Sequence, residues 1–245
     1  MSTVPGLSGH TYLDFNASLS DRRAATLVAG LGPIADSSVL DLGCGWAELL
    51  LRILAAGPTA TGVGIDNDTE AIARARANAR QRALEDRVDL HVGDIAADTT
   101  VADVVITVGA SHAWGGTAAM LAAVGAHVRA GGVVLVGDGI WSVPPTDAAL
   151  AALDAAPDDF LTFAALVDAA MAAGFRVLAA AEADRDEWDD FESRWCAGRE
   201  RWLLANPAAP ETDEVRAAVD RHRAGWLHGY RGVLGFAYLT LVADR

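Results

Sequence analysis

Short runs of aliphatic and β-branched residues alternate along this chain with longer segments whose apolar residues recur at helical spacing. The segments "SVLDL", "ATGVGID", "VDLHVGD", "ADVVITVG" and "VVLVGD" read as strands. Between them, "AELLLRILAAG", "DTEAIARARANARQRALE" and "TAAMLAAVGAHVRA" read as helices, the last stopped by Gly131 and Gly132. An earlier helix, "SLSDRRAATLVAGLG", begins at Ser18 or Ser20 and ends at Gly32-Pro33, while Asp68 or Thr69 caps the helix that follows "GVGID". Apolar strands separated by helices are buried on both faces, which calls for parallel pairing through helical crossovers. The expected fold class is therefore α/β, an open, doubly wound, mostly parallel sheet.

The pattern changes after about residue 141. A proline-broken linker with a short helix leads to the helix "TFAALVDAAMAAGF" and the strand "RVLAAAEAD". Residues 184–232 are charged and rich in tryptophan and read as two helices inserted before a last strand, "FAYLTLVA". The expected organisation is one domain over 1–245. It comprises an N-terminal helical cap (1–33), a cofactor-binding core (34–183), a helical insertion or lid (184–232) and a final strand (233–245).

Composition narrows the function classes. At 245 residues with 52% hydrophobic content, the chain can bury a large core without staples. Its two cysteines, Cys44 and Cys196, are too few for a disulfide framework, which fits a reducing compartment. With no apolar stretch long enough to span a bilayer and no signal-like start, a cytoplasmic location is expected. The net charge is −14 and all nineteen cations are arginine. That balance disfavours nucleic acid and anionic membranes as partners, which need an extensive basic face. The arginine-rich "RARANARQR" reads as a solvated helix face with cations near its C-terminus.

In "VLDLGCGWAELL" a buried strand ends on Asp41 and passes into two glycines, Gly43 and Gly45. Ligands of open parallel sheets bind beyond the carboxyl ends of the strands. Asp66, 21 residues after Gly45, closes the next strand where a carboxylate can accept from ribose hydroxyls. Asp94 closes the third strand, where an acceptor suits an adenine amino group with Ile95 packed on the ring. A dinucleotide fits poorly, because Glu48 stands where close packing beneath a pyrophosphate needs a small residue. A cofactor with a ribose, an adenine and a positive centre suits the acidic rim better. The plainer readings are a tight turn at the glycines, a helix cap at Asp66 and a turn acid at Asp94.

Together "LDLGCGWAEL", "GVGIDNDTEAIARARANA", "HVGDI" and "VRAGGVVLVGD" resemble successive motifs of class I S-adenosylmethionine-dependent methyltransferases. The resemblance runs from about Val39 to Asp138, and the remainder is similar to a group of poorly characterised bacterial members. It implies a Rossmann-like sheet of seven strands whose last strand is antiparallel, with a helical lid insertion. It also implies S-adenosylmethionine as cofactor, S-adenosylhomocysteine as product, and Asp41, Gly43 and Gly45 around the methionine moiety. By the same resemblance Asp66 holds the ribose, and Asp94 and Ile95 meet the adenine. Cys44, Asn67, Gly93 and Gly109 complete the expected cofactor contacts. The family often has a third glycine where this chain has Ala47.

Methyl transfer is an in-line displacement, so positioning supplies much of the rate and a base is needed only for a protonated acceptor. The acceptor side follows the fourth strand in "GASHAWGG", where His112 is the candidate base, although it could simply bond a loop carbonyl. Tyr12, Trp114 and Trp141 are candidate walls of a substrate pocket, and the insert's Trp188, Trp195, Trp202 and Trp226 could add to them or pack the lid. The Asn/Asp-Pro-Pro-aromatic element of base-modifying amino-methylases is absent, which points to a small-molecule acceptor. No His/Cys/Asp cluster has metal-ligand spacing, so no metal is expected. Two rivals stand beside this reading. In one, Gly109-x-Ser111 forms a nucleophile elbow and Ser111, with His222 or His228, makes a serine hydrolase. In the other, the chain binds S-adenosylmethionine without catalysis. The sequence leaves the oligomeric state open.

Overall fold

The apolar runs become the strands of one sheet in the computed structural model, which describes residues 10–244. Residues 1–9 of the expected N-terminal cap lie outside the described residues. The first five strands are β1 (Ser38–Leu42), β2 (Thr61–Asp66), β3 (Val88–Val92), β4 (Ala102–Val108) and β5 (Val128–Trp141). They are followed by the two-residue β6 (Leu161–Thr162), then β7 (Phe175–Glu182) and β8 (Leu234–Ala243). The sheet runs β3-β2-β1-β4-β5-β8-β7, with β6 paired to β5 as an eighth strand beyond the seven expected. Pairs β1–β2, β1–β4, β2–β3 and β4–β5 are parallel, whereas β7 and β8 are antiparallel.

Among the described residues eight α-helices accompany the strands: α1 (Asp21–Gly30), α2 (Glu48–Ala56), α3 (Thr69–Gln81), α4 (Thr117–Val124), α5 (Asp147–Leu153), α6 (Phe163–Ala172), α7 (Arg185–Ala205) and α8 (Thr212–Gly225). Ser20 caps α1 and Asp68 caps α3 through their side-chain oxygens. Helix α2 touches α1 and α3, while α4 touches α6. The chain steps from β1 to β2 and β3 in one direction and from β4 to β5 in the other. Right-handed crossovers therefore lay these helices on opposite faces and put the reversal of strand order between β1 and β4. The buried residues include Leu40, Leu42, Ile65, Val105, Val136 and Leu239, each worth roughly 1.5–3 kcal/mol of transfer free energy.

Two compact units emerge. One holds the sheet: Ser20–Ile140, Phe160–Glu182 and the chain from Phe236 onward. The other gathers the described residues up to Leu19, Trp141–Asp159 and Ala183–Gly235. Helix α1, expected in a separate cap, groups with the sheet, and the segment carrying α5 groups with α7 and α8. The helical unit has its own apolar anchors: Cys196, Leu203, Val215 and Val219 with Trp195 and Trp202, and Ala149 with Trp226 and Tyr230. An Asp184/Glu187 capping box starts α7.

Two expectations from the sequence are corrected. The helix read as "TAAMLAAVGAHVRA" ends at Val124, and β5 begins at Val128 and runs through Gly131-Gly132. Gly132 is needed there because a Cβ would lie 2.7 Å from the Asp103 carbonyl oxygen. The arginines of α3 and its C-cap are not simply solvated. Arg74 lies over the Trp46 ring (4.2 Å), Arg76 donates to the Leu90 carbonyl (2.7 Å) and Arg82 pairs with Glu48 (2.5 Å).

Candidate functional site

The carboxyl ends of β1 and β2 are tied by backbone. The N–H groups of Gly43 and Cys44 both donate to the Ile65 carbonyl (2.9 and 3.0 Å). The turn needs positive φ at Gly43 (+82°) and Gly45 (+53°), the left-handed region that glycine enters without steric cost. The two glycines differ in surroundings. A Cβ on Gly43 would lie 2.7 Å from Ala110 Cβ, so the turn packs tightly against the loop after β4. A Cβ on Gly45 would meet nothing within 4 Å, so bare backbone faces open space. Ala47 is also left-handed (φ +59°), where the resembled family often has glycine. Its methyl is fully buried, so a larger side chain is excluded on both grounds.

The acids gather at this same edge. Asp66 accepts from the Gly45 N–H with Oδ2 (2.8 Å) and from the Asp68 N–H with Oδ1 (2.9 Å), bracing the glycine turn. Each oxygen keeps a second lone pair for a ligand. Asp41 is 4% exposed, and burial, with the nearby Asp66 charge, pushes its carboxyl up to about 8. Burial, with Asp41 and Asp66 adding to it, also drives the Cys44 thiol far upward, so this cysteine is not a thiolate. The Gly93 N–H donates to the Asp66 carbonyl (3.0 Å), which brings the third strand's end alongside. Asp94 is exposed and accepts from the Ala96 N–H (2.9 Å), Ile95 is buried beside Gly43, and Asn67 is exposed. Asp41, Gly43, Cys44, Gly45, Asp66, Gly93 and Ile95 are thus brought together, with Asn67 and Asp94 at the ends of the same strands. Glu48 is turned away into ion pairs with Arg52 and Arg82.

Gly109 follows β4 at φ +73°, its N–H donating to the Gly137 carbonyl (2.8 Å). The following Ser111–Trp114 is a short 3₁₀ turn. His112 is exposed on that turn, and Trp114 is half-buried against the sheet core. Ser111 Oγ donates to Asp138 Oδ1 (3.0 Å), and Thr117 Oγ1 donates to Asp138 Oδ2 (2.5 Å). Asp138 is buried, and desolvation pushes its carboxyl up against the opposing pull of these donors and of His112. Sequence reading passed over Asp138, although "VVLVGD" repeats the signal of a strand ending in an acid that singled out Asp41, Asp66 and Asp94.

The remaining candidates fare differently. Trp141 is 3% exposed and its indole N–H donates to the Pro157 carbonyl (2.9 Å). Tyr12 is exposed beside Gly198, with Arg201 over its ring (4.4 Å). Ser111 does not form a nucleophile elbow. It lacks the strained positive φ of that turn, and its hydroxyl donates to a carboxylate. His222, proposed as its base, bonds Glu192 Oε2 through Nε2 (2.5 Å). A cleft of about 620 Å³ opens at the opposite, amino edge of the strands, lined by Ala25, Val28, Pro33, Ile34, Arg52 and Pro58 among others. It is mostly apolar and contains none of the strand-end acids, so the chemistry belongs at the carboxyl edge.

Known proteins share this fold. A family profile described as a methyltransferase domain matches residues 35–173. The Escherichia coli protein YjhP is 31% identical over 229 residues, covering 91% of this chain and 92% of its own. A SAM-dependent methyltransferase from Geobacter sulfurreducens, solved in complex with S-adenosyl-L-homocysteine, has a TM-score of 0.89 at 28% identity and covers 96% of each chain. Its counterpart from Thiobacillus denitrificans, solved with the same compound, has a TM-score of 0.87 at 29% identity and 96% coverage of each.

Proposed function

Since this chain belongs to the methyltransferase-domain family, we propose that it moves the methyl group of S-adenosylmethionine onto a small-molecule acceptor. The observation that carries the reading is the carboxyl edge itself. There the open backbone at Gly45, the buried Asp41 and the braced Asp66 converge. This donor set fits the cofactor, which supplies an electrophilic methyl on a sulfonium. Main-chain groups of the glycine turn and Asp41 hold the methionine portion. Asp66 accepts from the ribose, while Asp94 and Ile95 receive the adenine. Two solved relatives binding S-adenosylhomocysteine support this assignment. Acceptor size is inferred from charge, because a chain of net −14 lacks the basic face that a nucleic acid requires.

Calorimetry with S-adenosylhomocysteine tests the cofactor site. Hydrogen bonds to a charged group contribute about 1.5–3 kcal/mol each, so losing two should weaken binding by at least ~10²-fold in Asp66→Ala. Because Asp66 also braces Gly45, Asp66→Asn should fall between the wild type and the alanine variant. Undiminished affinity in Asp66→Ala would refute the ribose assignment.

A further inference from the structure

We propose that Ser111 and Asp138 form a two-step proton relay for the methyl acceptor, with Ser111 as the catalytic contact and Asp138 as the buried group that holds the proton. The inference rests on the methyltransferase reading above and concerns only how the acceptor loses its proton.

The relay follows from placement. Strands β4 and β5 are neighbours, and the carboxyl end of β4 lies level with Gly137 of β5, since Val108 pairs with Gly137 and the Gly109 N–H bonds the Gly137 carbonyl. Asp138 is the next residue on β5 and Ser111 follows two residues after Gly109. Ala110, between them, is the residue that a Cβ on Gly43 would strike, so the relay adjoins the glycine turn. Ser111 is partly exposed whereas Asp138 is 4% exposed, and the hydroxyl is therefore a link from solvent-side space to a buried carboxylate.

The chemistry suits those roles. A serine hydroxyl that donates to a carboxylate has its oxygen lone pairs free to accept a proton from outside. Thr117 and the Gly139 N–H (3.0 Å) hold the carboxylate in place, and His112 is the titratable side chain whose charge acts on it. Burial makes Asp138 more basic than an ordinary carboxylate, the property a proton acceptor near neutrality needs. As the acceptor attacks, its O–H or N–H proton passes to Ser111 Oγ, and the Ser111 proton passes to Asp138 Oδ1. The acceptor's electron pair forms the new bond to the methyl carbon, and the pair of the broken carbon–sulfur bond stays on sulfur. No oxidant or further reactant is required. Exposed His112 is then a modulator: when protonated, it lowers the proton affinity of Asp138.

Two measurements test the relay. In the first, infrared pH titration of the unliganded protein should show a protonated-carboxyl band that titrates above the ordinary carboxylate range and is absent from Asp138→Asn. Ser111→Ala should move its midpoint upward, because a donor to the charged form is lost. An Asp138 that titrates in the ordinary range would overturn the proposal. In the second, methyl-labelled S-adenosylmethionine is incubated with a small-molecule cell extract. Ser111→Ala and Asp138→Asn should lower kcat by the ~10²–10⁴-fold typical of a lost acid–base group. The Ser111→Ala deficit should shrink as pH rises and be restored by Ser111→Thr, with S-adenosylhomocysteine binding retained throughout as proof of folding. Variants with wild-type kcat and an unchanged pH profile would sink the relay. A wild-type protein that labels nothing small would instead count against the acceptor class, and the infrared titration would still judge the relay.

Discussion

At the scale of single residues, Asp41 stands out because its protonation couples folding to ligand binding. Its carboxyl lies at about 8 in the fold against 3.8 in an exposed chain, chiefly through burial and then through Asp66. Between those values the folded chain keeps a proton that the unfolded chain has released, so Asp41 makes stability fall as pH rises across that window. Its contribution is most favourable below the lower value and is lost as pH climbs through the upper one. Asp41→Asn should remove a slope approaching 1.4 kcal/mol per pH unit, visible as a higher Tm than wild type on the alkaline side. The same variant should bind S-adenosylmethionine more weakly. Wild-type affinity should rise with pH through about 8, with proton release seen by calorimetry in buffers of different ionisation heat. A variant with the wild-type pH slope would show that Asp41 is ionised throughout. Asp41 was legible in the sequence as an acid ending a strand; its altered basicity was not, since that depends on neighbours from β2 and the glycine turn.

At the scale of elements, the boundary between α4 and β5 shows why local pattern misleads. Two adjacent glycines after an alanine-rich run look like a helix stop, yet Gly131 and Gly132 lie inside a strand. The role of Gly132 is set by β4, whose Asp103 carbonyl would lie 2.7 Å from a Cβ there. Gly132→Ala should therefore destabilise by about 1–3 kcal/mol, the usual range for overpacking, measured as a lower urea midpoint at unchanged m-value. Wild-type stability in this variant would mean the strands part without cost. Helix α3 teaches the same lesson, because its arginines look solvated by spacing alone. The Leu90 carbonyl and the Trp46 ring that receive them lie at other points of the chain.

At the scale of the whole molecule, the division into two units has consequences for stability. The helical unit buries Glu192 (2% exposed) between His222 and Tyr230, whose hydroxyl donates to Oε1 (2.7 Å). Tyr230→Phe leaves that oxygen without its donor, at a cost of about 1–3 kcal/mol. The loss should appear as faster amide hydrogen exchange in α7 and α8, with protection of β1, β4 and β5 unchanged. Equal acceleration in the sheet strands would show that both units open as one. The separate cores explain the tryptophan-rich composition of the insertion, where Trp195, Trp202 and Trp226 serve as anchors.

Apart from the antiparallel last strand, which only the family resemblance implied, the sequence alone determined the α/β class, the five parallel strands and the positions of the glycine turn and strand-end acids. All of these arise from local periodicity, capping and steric freedom, which short windows of residues contain. Only the tertiary structure decided that Ser111 meets Asp138 rather than a histidine, that Asp41 is too buried to ionise readily, and that Gly132 belongs to a strand. Those outcomes depend on which distant segments become neighbours, and desolvation and close approach act through space rather than along the chain.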